Sequence, residues 1–420
     1  MDVLNFLTSN ILRNPPVLLG IIAGLGLIVQ KKKFSDVIKG VLLAAFGMVI
    51  IDAGVTLLVG TIAPINVAFQ SISGAVASEG LNDVTFTAVH GGEVGLAMLF
   101  AIILHLIIAR FTKFKVIFLT GHMLWWFPFC LVAAGVEGGL TGIGLIGFAA
   151  VMSALYFSIM PWVLRKYVFK VTNDESFTLG HPTGVLSLLS GFVASKVGDT
   201  SKSTEDIKIP ASFSFFREVS ITGSIVIFIM YLVVGLFIPS LTADGSNLLF
   251  LALNQGIKFG AGFVVLMQGV RMLINQIVPA FKGIAEKVVP GAIPALDCPV
   301  IFNYKPNAVL IGFVTAMIVS TALILIFNSM NLFGVMLVPL VITSFFECGA
   351  AAVIGEGQGG LRGCLIGTSC AAVLMVVLLG LSAAIYTTTI QNWILIFGGN
   401  DLSLLGWLGE MVATLLSGVL

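Results

Sequence analysis

The chain has 420 residues, of which 58% are hydrophobic and 10% charged, and its formal net charge is +1. A soluble domain carries roughly a quarter charged residues, so this chain cannot cover its own surface with polar groups and its solvent is lipid. Near-neutral charge, with no basic stripe interleaved with aromatics, excludes nucleic acid as the expected partner.

A membrane span needs about 20 apolar residues. In chain order, spans are expected at 15–30, 39–64, 94–112, 116–136, 139–164, 219–240, 247–278, 307–328, 330–346, 362–388 and 402–420. Two further apolar stretches, near 176–195 and 346–360, are interrupted by glycine or proline and read as re-entrant hairpins. The expected fold class is all-α integral membrane, with about 11 transmembrane helices. The 47 glycines suit such a bundle, because small residues let helices approach closely. The N-terminal MDVLNFLTSNILRN lacks a basic n-region and a small-residue cleavage site, so no cleaved leader is expected.

Basic residues set the orientation. Lys31–Lys33, Arg110 with Lys113 and Lys115, Arg165 with Lys166 and Lys170, the stretch 196–217, and Lys282 with Lys287 all fall on one side. The positive-inside rule makes that side cytoplasmic, with the N-terminus outside and the C-terminus inside.

An internal repeat is visible. Gly54-Val55 through Pro64 recurs as Gly269-Val270 through Pro279, with the glycines and the prolines both 215 residues apart. Carried forward, that offset pairs Asn82 with Asp297. Because the first span and its counterpart at 219–240 run in opposite directions, the expectation is two inverted repeats plus one helix, a common transporter plan. The expected divisions are 1–195 (first repeat), 196–218 (cytoplasmic linker), 219–390 (second repeat) and 391–420 (C-terminal helix).

Four groups of residues bear chemistry. Thr120-Gly121-His122 and Gly180-His181 place a Gly-His inside an apolar stretch. An embedded histidine is costly unless paired or facing a polar cavity; packing residue and hydroxyl ligand are both open readings. Asp297 sits among Pro290, Pro294 and Pro299, where it serves either as a turn cap or as a hydroxyl acceptor or base. Glu347 and Glu356 lie in the glycine-rich run 345–360; Glu347 either lines a cavity or sits at its aqueous edge. Asp52 and Arg271 flank the repeat glycines and read as a structural pair. His90 and His105 read as structural, and the five cysteines as small buried hydrophobes. No catalytic triad, metal-ligand cluster, Walker lysine or Rossmann fingerprint occurs, so neither a metal nor a cofactor is expected.

The stretches Asn14–Gly20, Leu119–His122, Ser176–His181, Thr204–Pro210 and Gln268–Met272, with the PGA, LDC and PNAV strings of Pro290–Val309, carry a resemblance. They resemble the membrane component (enzyme IIC) of the bacterial sugar phosphotransferase system, in its ascorbate–galactitol branch and nearest the ascorbate-specific members. The resemblance implies a homodimer in the bacterial cytoplasmic (inner) membrane. Each protomer would have a V-shaped dimer scaffold, placed at about 11–65 and 219–280, and a substrate core at about 80–195 and 288–390. It implies a sugar or sugar-acid substrate, L-ascorbate or a related polyol, presented to a soluble IIB phosphocysteine that is charged by IIA. Both would be separate polypeptides, and this chain would carry no phosphoryl group itself. The family's sugar-binding positions carry over to His122, His181 and Asp297. Thr120, Trp126 and Glu347 complete the candidate set. Ascorbate-type members have glutamine where this chain has Trp126 and Pro182, so a neutral sugar stacked on Trp125 or Trp126 is an alternative. A cation-coupled sugar carrier without phosphotransfer is the alternative mechanism, and a channel or purely structural protein is disfavoured by the repeat.

Overall fold

A computed structural model describes residues 14–73, 83–207, 215, 218–242, 245–287 and 289–418. Asn82, the expected counterpart of Asp297, and residues 208–214 of the expected linker lie outside the described residues.

Helix α1 (Pro15–Val29) begins with Asn14 accepting from the Val17 amide at 3.3 Å, and prolines fill its first two positions, where an N–H would have no intrahelical partner. It is followed by α2 (Phe34–Ser73), α3 (Asp83–Phe111), strand β1 (Val116–Phe118), α4 (Met123–Glu137), α5 (Gly142–Thr172), β2 (Thr178–Leu179) and α6 (Gly184–Val197). The second half runs α7 (Val219–Phe237), α8 (Leu248–Lys287), β3 (Ile293–Leu296), α9 (Pro306–Ser329), α10 (Val341–Ile385), α11 (Gln391–Phe397) and α12 (Asp401–Ser417). Among the described residues six helices, α2, α3, α5, α8, α9 and α10, are long and apolar enough to cross a membrane. Helices α1, α4, α6 and α7 contain shorter apolar segments. Leu25, Phe46, Ile257 and Ile318 are among the large apolar side chains left open on these helices, as lipid as solvent requires.

Helices α1, α2, α7 and α8 pack mainly on one another, whereas α3–α6 and α9–α12 form a second group around the strands. The α2–α8 crossing is built on the repeat glycines. A Cβ on Gly54 would lie 2.5 Å from the Leu266 nitrogen, and one on Gly269 2.6 Å from the Ile51 nitrogen. Likewise a Cβ on Gly47 would meet the Leu273 nitrogen at 2.8 Å, and one on Gly262 the Leu58 nitrogen at 3.2 Å. Each contact maps onto its partner by the same 215-residue offset that relates the sequence strings. Filling such a contact forces the helices apart, at about 1–3 kcal/mol for an overpacked site. Gly54→Val is therefore expected to lower the melting temperature of the purified protein; an unchanged value would show that the crossing is not held by this close approach. Asp52 and Arg271 do not pair with each other among the described residues: Arg271 Nη2 reaches Asn303 Oδ1 at 3.4 Å, and Asp52 lies where its charge acts on His122 and Asp297.

Four segments depart from the expected pattern. The apolar run 116–136 is not one span: it divides into β1, a turn and the 15-residue α4. Residues 331–340 are not helical, because the chain turns through left-handed Asn331 and Gly334, and Pro339 precedes the start of α10. The glycine-rich run 346–360, expected as a re-entrant hairpin, is helical up to its end. Its glycines serve close packing instead: a Cβ on Gly355 would meet Ser190 Oγ at 2.6 Å, and one on Gly357 the Val171 side chain at 2.4 Å. The expected single C-terminal helix is two, α11 and α12, joined through Gly398-Gly399-Asn400.

The long α10 breaks only at Gly359 and Gly360, the latter at φ +60° where a Cβ would strike the Asp199 carbonyl. The segment after α6 fills the break: the Asp199 amide donates to the Gly359 carbonyl at 2.8 Å, and the Leu361 amide to the Lys202 carbonyl at 2.7 Å. Glu356, buried just before the break, takes Lys305 Nζ at 3.0 Å and accepts from the Ser203 hydroxyl and the Thr204 amide. The Glu205 carboxylate accepts from the Asn307 amide at 3.0 Å in the first turn of α9. The stretch 199–206 is thereby fastened to the second group of helices.

Candidate functional site

The three short strands make one parallel sheet in the order β1-β3-β2. Val116–Phe118 pair with Ile293–Ala295, and Thr178–Leu179 with Ala295–Leu296. The pairing continues past the strand ends, as the Leu119 amide donates to the Ala295 carbonyl at 2.9 Å and the Gly180 amide to the Leu296 carbonyl at 2.8 Å. Pro294 is tolerated in the central strand because β2 starts beside Ala295, so its missing donor faces no partner. Parallel strands all run out at one end. The residues that follow there are Thr120-Gly121-His122, Gly180-His181 and Asp297, so three segments far apart in sequence deliver their polar side chains to one place.

Each local backbone supports this. The Thr120 carbonyl accepts from the Met123 amide at 3.0 Å, which starts α4 directly after His122. A Cβ on Gly180 would lie 3.0 Å from both the Phe118 ring and the Ala295 side chain, so glycine lets the His181 turn pass closely over the sheet. Asp297 accepts from the Cys298 amide at 2.7 Å and caps the 3-10 turn Cys298–Ile301. The sheet is anchored from behind by buried His105, whose Nε2 accepts from the Phe118 amide at 3.0 Å while Nδ1 lies 2.8 Å from Ser158 Oγ. Those contacts make His105 a satisfied core histidine with its proton on Nδ1. His90 lies 3.9 Å from Glu93, away from the sheet.

His122 Nε2 is 3.8 Å from Asp297 Oδ2, and His181 Nε2 is 3.5 Å from Asp297 Oδ1. Both separations exceed a good hydrogen bond, so the three groups face one another with bonding capacity to spare. They line a cavity of about 160 Å³ together with Trp126, Pro182, Glu347, Trp393 and Asn400; Val55 of α2 and Leu266 of α8 close it from the other helix group. That volume equals about five waters at liquid density, room for one monosaccharide-sized molecule. Trp126 stacks on Trp393 with ring centroids 4.8 Å apart and forms an aromatic wall. Thr120, buried, borders a smaller neighbouring space with His122 and Asp297.

Three buried polar atoms here have no hydrogen-bond partner among the described residues: Thr120 Oγ1, His181 Nδ1 and Glu347 Oε2. An unsatisfied buried polar group costs about 1–3 kcal/mol, and such costs collect where a ligand supplies the missing bonds. Glu347 is therefore not at an aqueous edge. Its Oε1 accepts from Asn400 Nδ2 at 2.9 Å, and its carbonyl from the Thr183 hydroxyl at 2.7 Å. Asn400, Asp401, Tyr156 and Trp393 were not singled out from sequence. The signal available was Gly398-Gly399-Asn400-Asp401, two polar residues after paired glycines within an apolar stretch, much like the Gly-His tips.

His122, His181 and Asp297 also form a donor set that a metal ion could use, with ligand atoms all within 4.8 Å of one another. Sequence spacing gave no hint of this cluster; the fold assembles it. A metal-bound histidine nearly always donates its other ring N–H to an acceptor, and His181 Nδ1 has none among the described residues. The set suits a hydroxyl-rich ligand better than a resident metal.

The family model described as "PTS system sugar-specific permease component" (EIIC-GAT) matches residues 10–401. The chain is also similar to a Mycoplasma pneumoniae (strain ATCC 29342 / M129 / Subtype 1) protein named "Ascorbate-specific PTS system EIIC component", with 24% identity over 417 aligned residues. The match covers 85% of this chain, which spans about 63% of that relative's length.

Proposed function

The chain belongs to the sugar-specific permease (EIIC) family of the phosphotransferase system, and from that premise we propose that it carries L-ascorbate or a related sugar or polyol across the bacterial inner membrane for phosphorylation by a separate IIB protein. The observation that carries this reading is the convergence of His122, His181 and Asp297 on one monosaccharide-sized cavity between two helix groups. Imidazoles donate and accept, and a carboxylate accepts two hydroxyls, which matches the edge of a polyhydroxylated ring. The Trp126–Trp393 wall offers an apolar face for the sugar's C–H side. Thr120 and Glu347 supply the further bonds that their orphaned atoms invite.

In this account α1, α2, α7 and α8 are the V-shaped scaffold on which two protomers dimerise, and the remaining helices with the sheet are the mobile core. The grouping of helix contacts and the reciprocal glycine contacts support two inverted repeats, and the one-sided basic residues support an N-terminus outside and a C-terminus inside. Core movement exposes the cavity to either side in turn. In the cytoplasm Asp297 accepts the proton of the hydroxyl that attacks the phosphorus of the IIB phosphocysteine, itself charged by IIA; the P–S bond breaks, the IIB cysteine leaves as thiolate, and the sugar phosphate no longer fits the route back.

The embedded acids Asp297 and Glu347 favour one rival, a carrier driven by H⁺ or Na⁺ without phosphotransfer. Uptake into vesicles with and without phosphorylated IIB decides between them. The expected result is accumulation of sugar phosphate only when IIB is present. Accumulation of unmodified sugar under an imposed proton or sodium gradient would replace group translocation with the rival.

A further inference from the structure

Two residues at the tip between α11 and α12 have every side-chain polar atom hydrogen-bonded, and what they hold is the site. Asn400 is buried, its Oδ1 accepts from the Leu402 amide at 3.1 Å, and its Nδ2 donates to the Phe397 carbonyl and to Glu347 Oε1, both at 2.9 Å. Because an amide N–H can donate only to an acceptor, the Leu402 bond fixes which end of Asn400 is oxygen and turns the NH₂ toward Glu347. Glu347 Oε1 is thereby occupied, and Oε2, on a side chain only 5% exposed that lines the sugar-sized cavity, has no partner among the described residues.

The neighbouring Asp401 is fully buried and grips the His181 turn and the start of α6. Its Oδ1 accepts from the Val185 amide at 2.7 Å at the start of α6, its Oδ2 accepts from the Tyr156 hydroxyl, and its amide donates to the Pro182 carbonyl at 3.0 Å. The Tyr156 oxygen also lies 3.2 Å from the His181 carbonyl. The backbone at and just after His181 is thus tied to Asp401, directly at Pro182 and Val185 and through Tyr156 at the His181 carbonyl. One dipeptide from the second half of the chain orients an acid and a histidine that come from two other elements.

We propose that the Asn400–Asp401 tip is the second half of the sugar site: Asn400 directs Glu347 Oε2 onto a substrate hydroxyl, and Asp401 is the positioning residue for His181. This rests on the sugar-site reading and adds a second polar pole to it. The site then reads hydroxyls from both poles at once, at His122, His181 and Asp297 and again at Glu347, so a sugar lacking the hydroxyl at the second pole binds as though that pole were absent.

The test is equilibrium binding to purified protein of L-ascorbate, a hexitol and a pentitol, each with its mono-deoxy forms. Glu347→Leu is expected to weaken binding at least tenfold, Glu347→Gln less than threefold, and Asn400→Ala between these. One deoxy analogue should lose affinity for wild type but lose nothing further on Glu347→Leu or Asn400→Ala, a coupling that a merely structural role would not produce. Asn400→Ala carries the same comparison if Glu347→Leu does not fold. For Asp401→Asn, weaker binding should be accompanied by loss of the extra cost of His181→Ala. Full affinity in Glu347→Leu or Asn400→Ala, or deoxy losses that simply add, would overturn the proposal while a loss in Asp297→Asn kept the sugar site. No binding of any probe to wild type, or full affinity in Asp297→Asn, would contradict the sugar-site reading itself.

Discussion

Asp297→Asn is expected to fold normally and to lose sugar affinity by at least about tenfold. Two roles meet in this carboxylate, and the substitution separates them. As a cap, Asp297 needs only an oxygen that accepts from the Cys298 amide, and asparagine supplies one. As a sugar ligand it needs a charged acceptor with capacity free toward the cavity, where hydrogen bonds to an ionised group contribute about 1.5–3 kcal/mol each. Losing one or two such bonds corresponds to roughly one to four decades in affinity. Asp297→Ala should show the same loss of binding plus about 1 kcal/mol of lost capping, visible as a lower melting temperature. Binding by isothermal titration and melting curves on both variants check this. Full affinity in Asp297→Asn alongside destabilisation in Asp297→Ala would leave the residue as a cap alone.

Lys305→Met is expected to destabilise the protein by about 3 kcal/mol, the low end of the scale for stripping one partner from a buried ion pair, because Lys305 is itself 25% exposed. The Glu356 side chain is 2% exposed, and Lys305 Nζ stands 3.0 Å from its Oε2. Without the lysine, Glu356 keeps the Ser203 hydroxyl and the Thr204 amide but no cation. The consequence reaches beyond one pair, because those partners belong to the segment that fills the break in α10. Lys305→Met should therefore loosen 199–206 as well as lower the melting temperature, which hydrogen exchange of the Asp199 and Leu361 amides would read directly. Adding Glu356→Gln should recover much of the loss, since glutamine retains an acceptor for Ser203 without a charge to bury. A Lys305→Met protein as stable as wild type would show that the pair contributes nothing.

The strongest sequence signals came where local chemistry and packing agree. Asn14-Pro15-Pro16 announces the start of α1 by itself, and the 215-residue offset marked the glycines that the α2–α8 crossing requires. Helices α7 and α9 fall close to the apolar runs that predicted them. The failures share a physical cause: glycine and hydrophobicity each have two meanings. In 346–360 glycines read as a broken loop, yet they are the small faces against which Ser190 and Val171 pack, and tertiary contact kept the helix. In 116–136 a mostly apolar run concealed a three-residue strand, because a short buried strand and a buried helix segment look alike in composition. The candidates His122, His181 and Asp297 were legible as single residues in broken contexts, but their union depended on a parallel sheet no pattern predicted. Asn400 and Asp401 were missed although they follow paired glycines, because the same signal marks an ordinary turn and does not tell a turn polar residue from one that holds a site.

The most direct test of the central claim is a structure determined with the bound sugar. The account predicts one sugar in the cavity closed by Trp126 and Trp393, with hydroxyls within hydrogen-bond distance of His122 Nε2, His181 Nε2 and a carboxylate oxygen of Asp297. A sugar bound elsewhere, with those three side chains still facing one another across an unchanged gap, would contradict it.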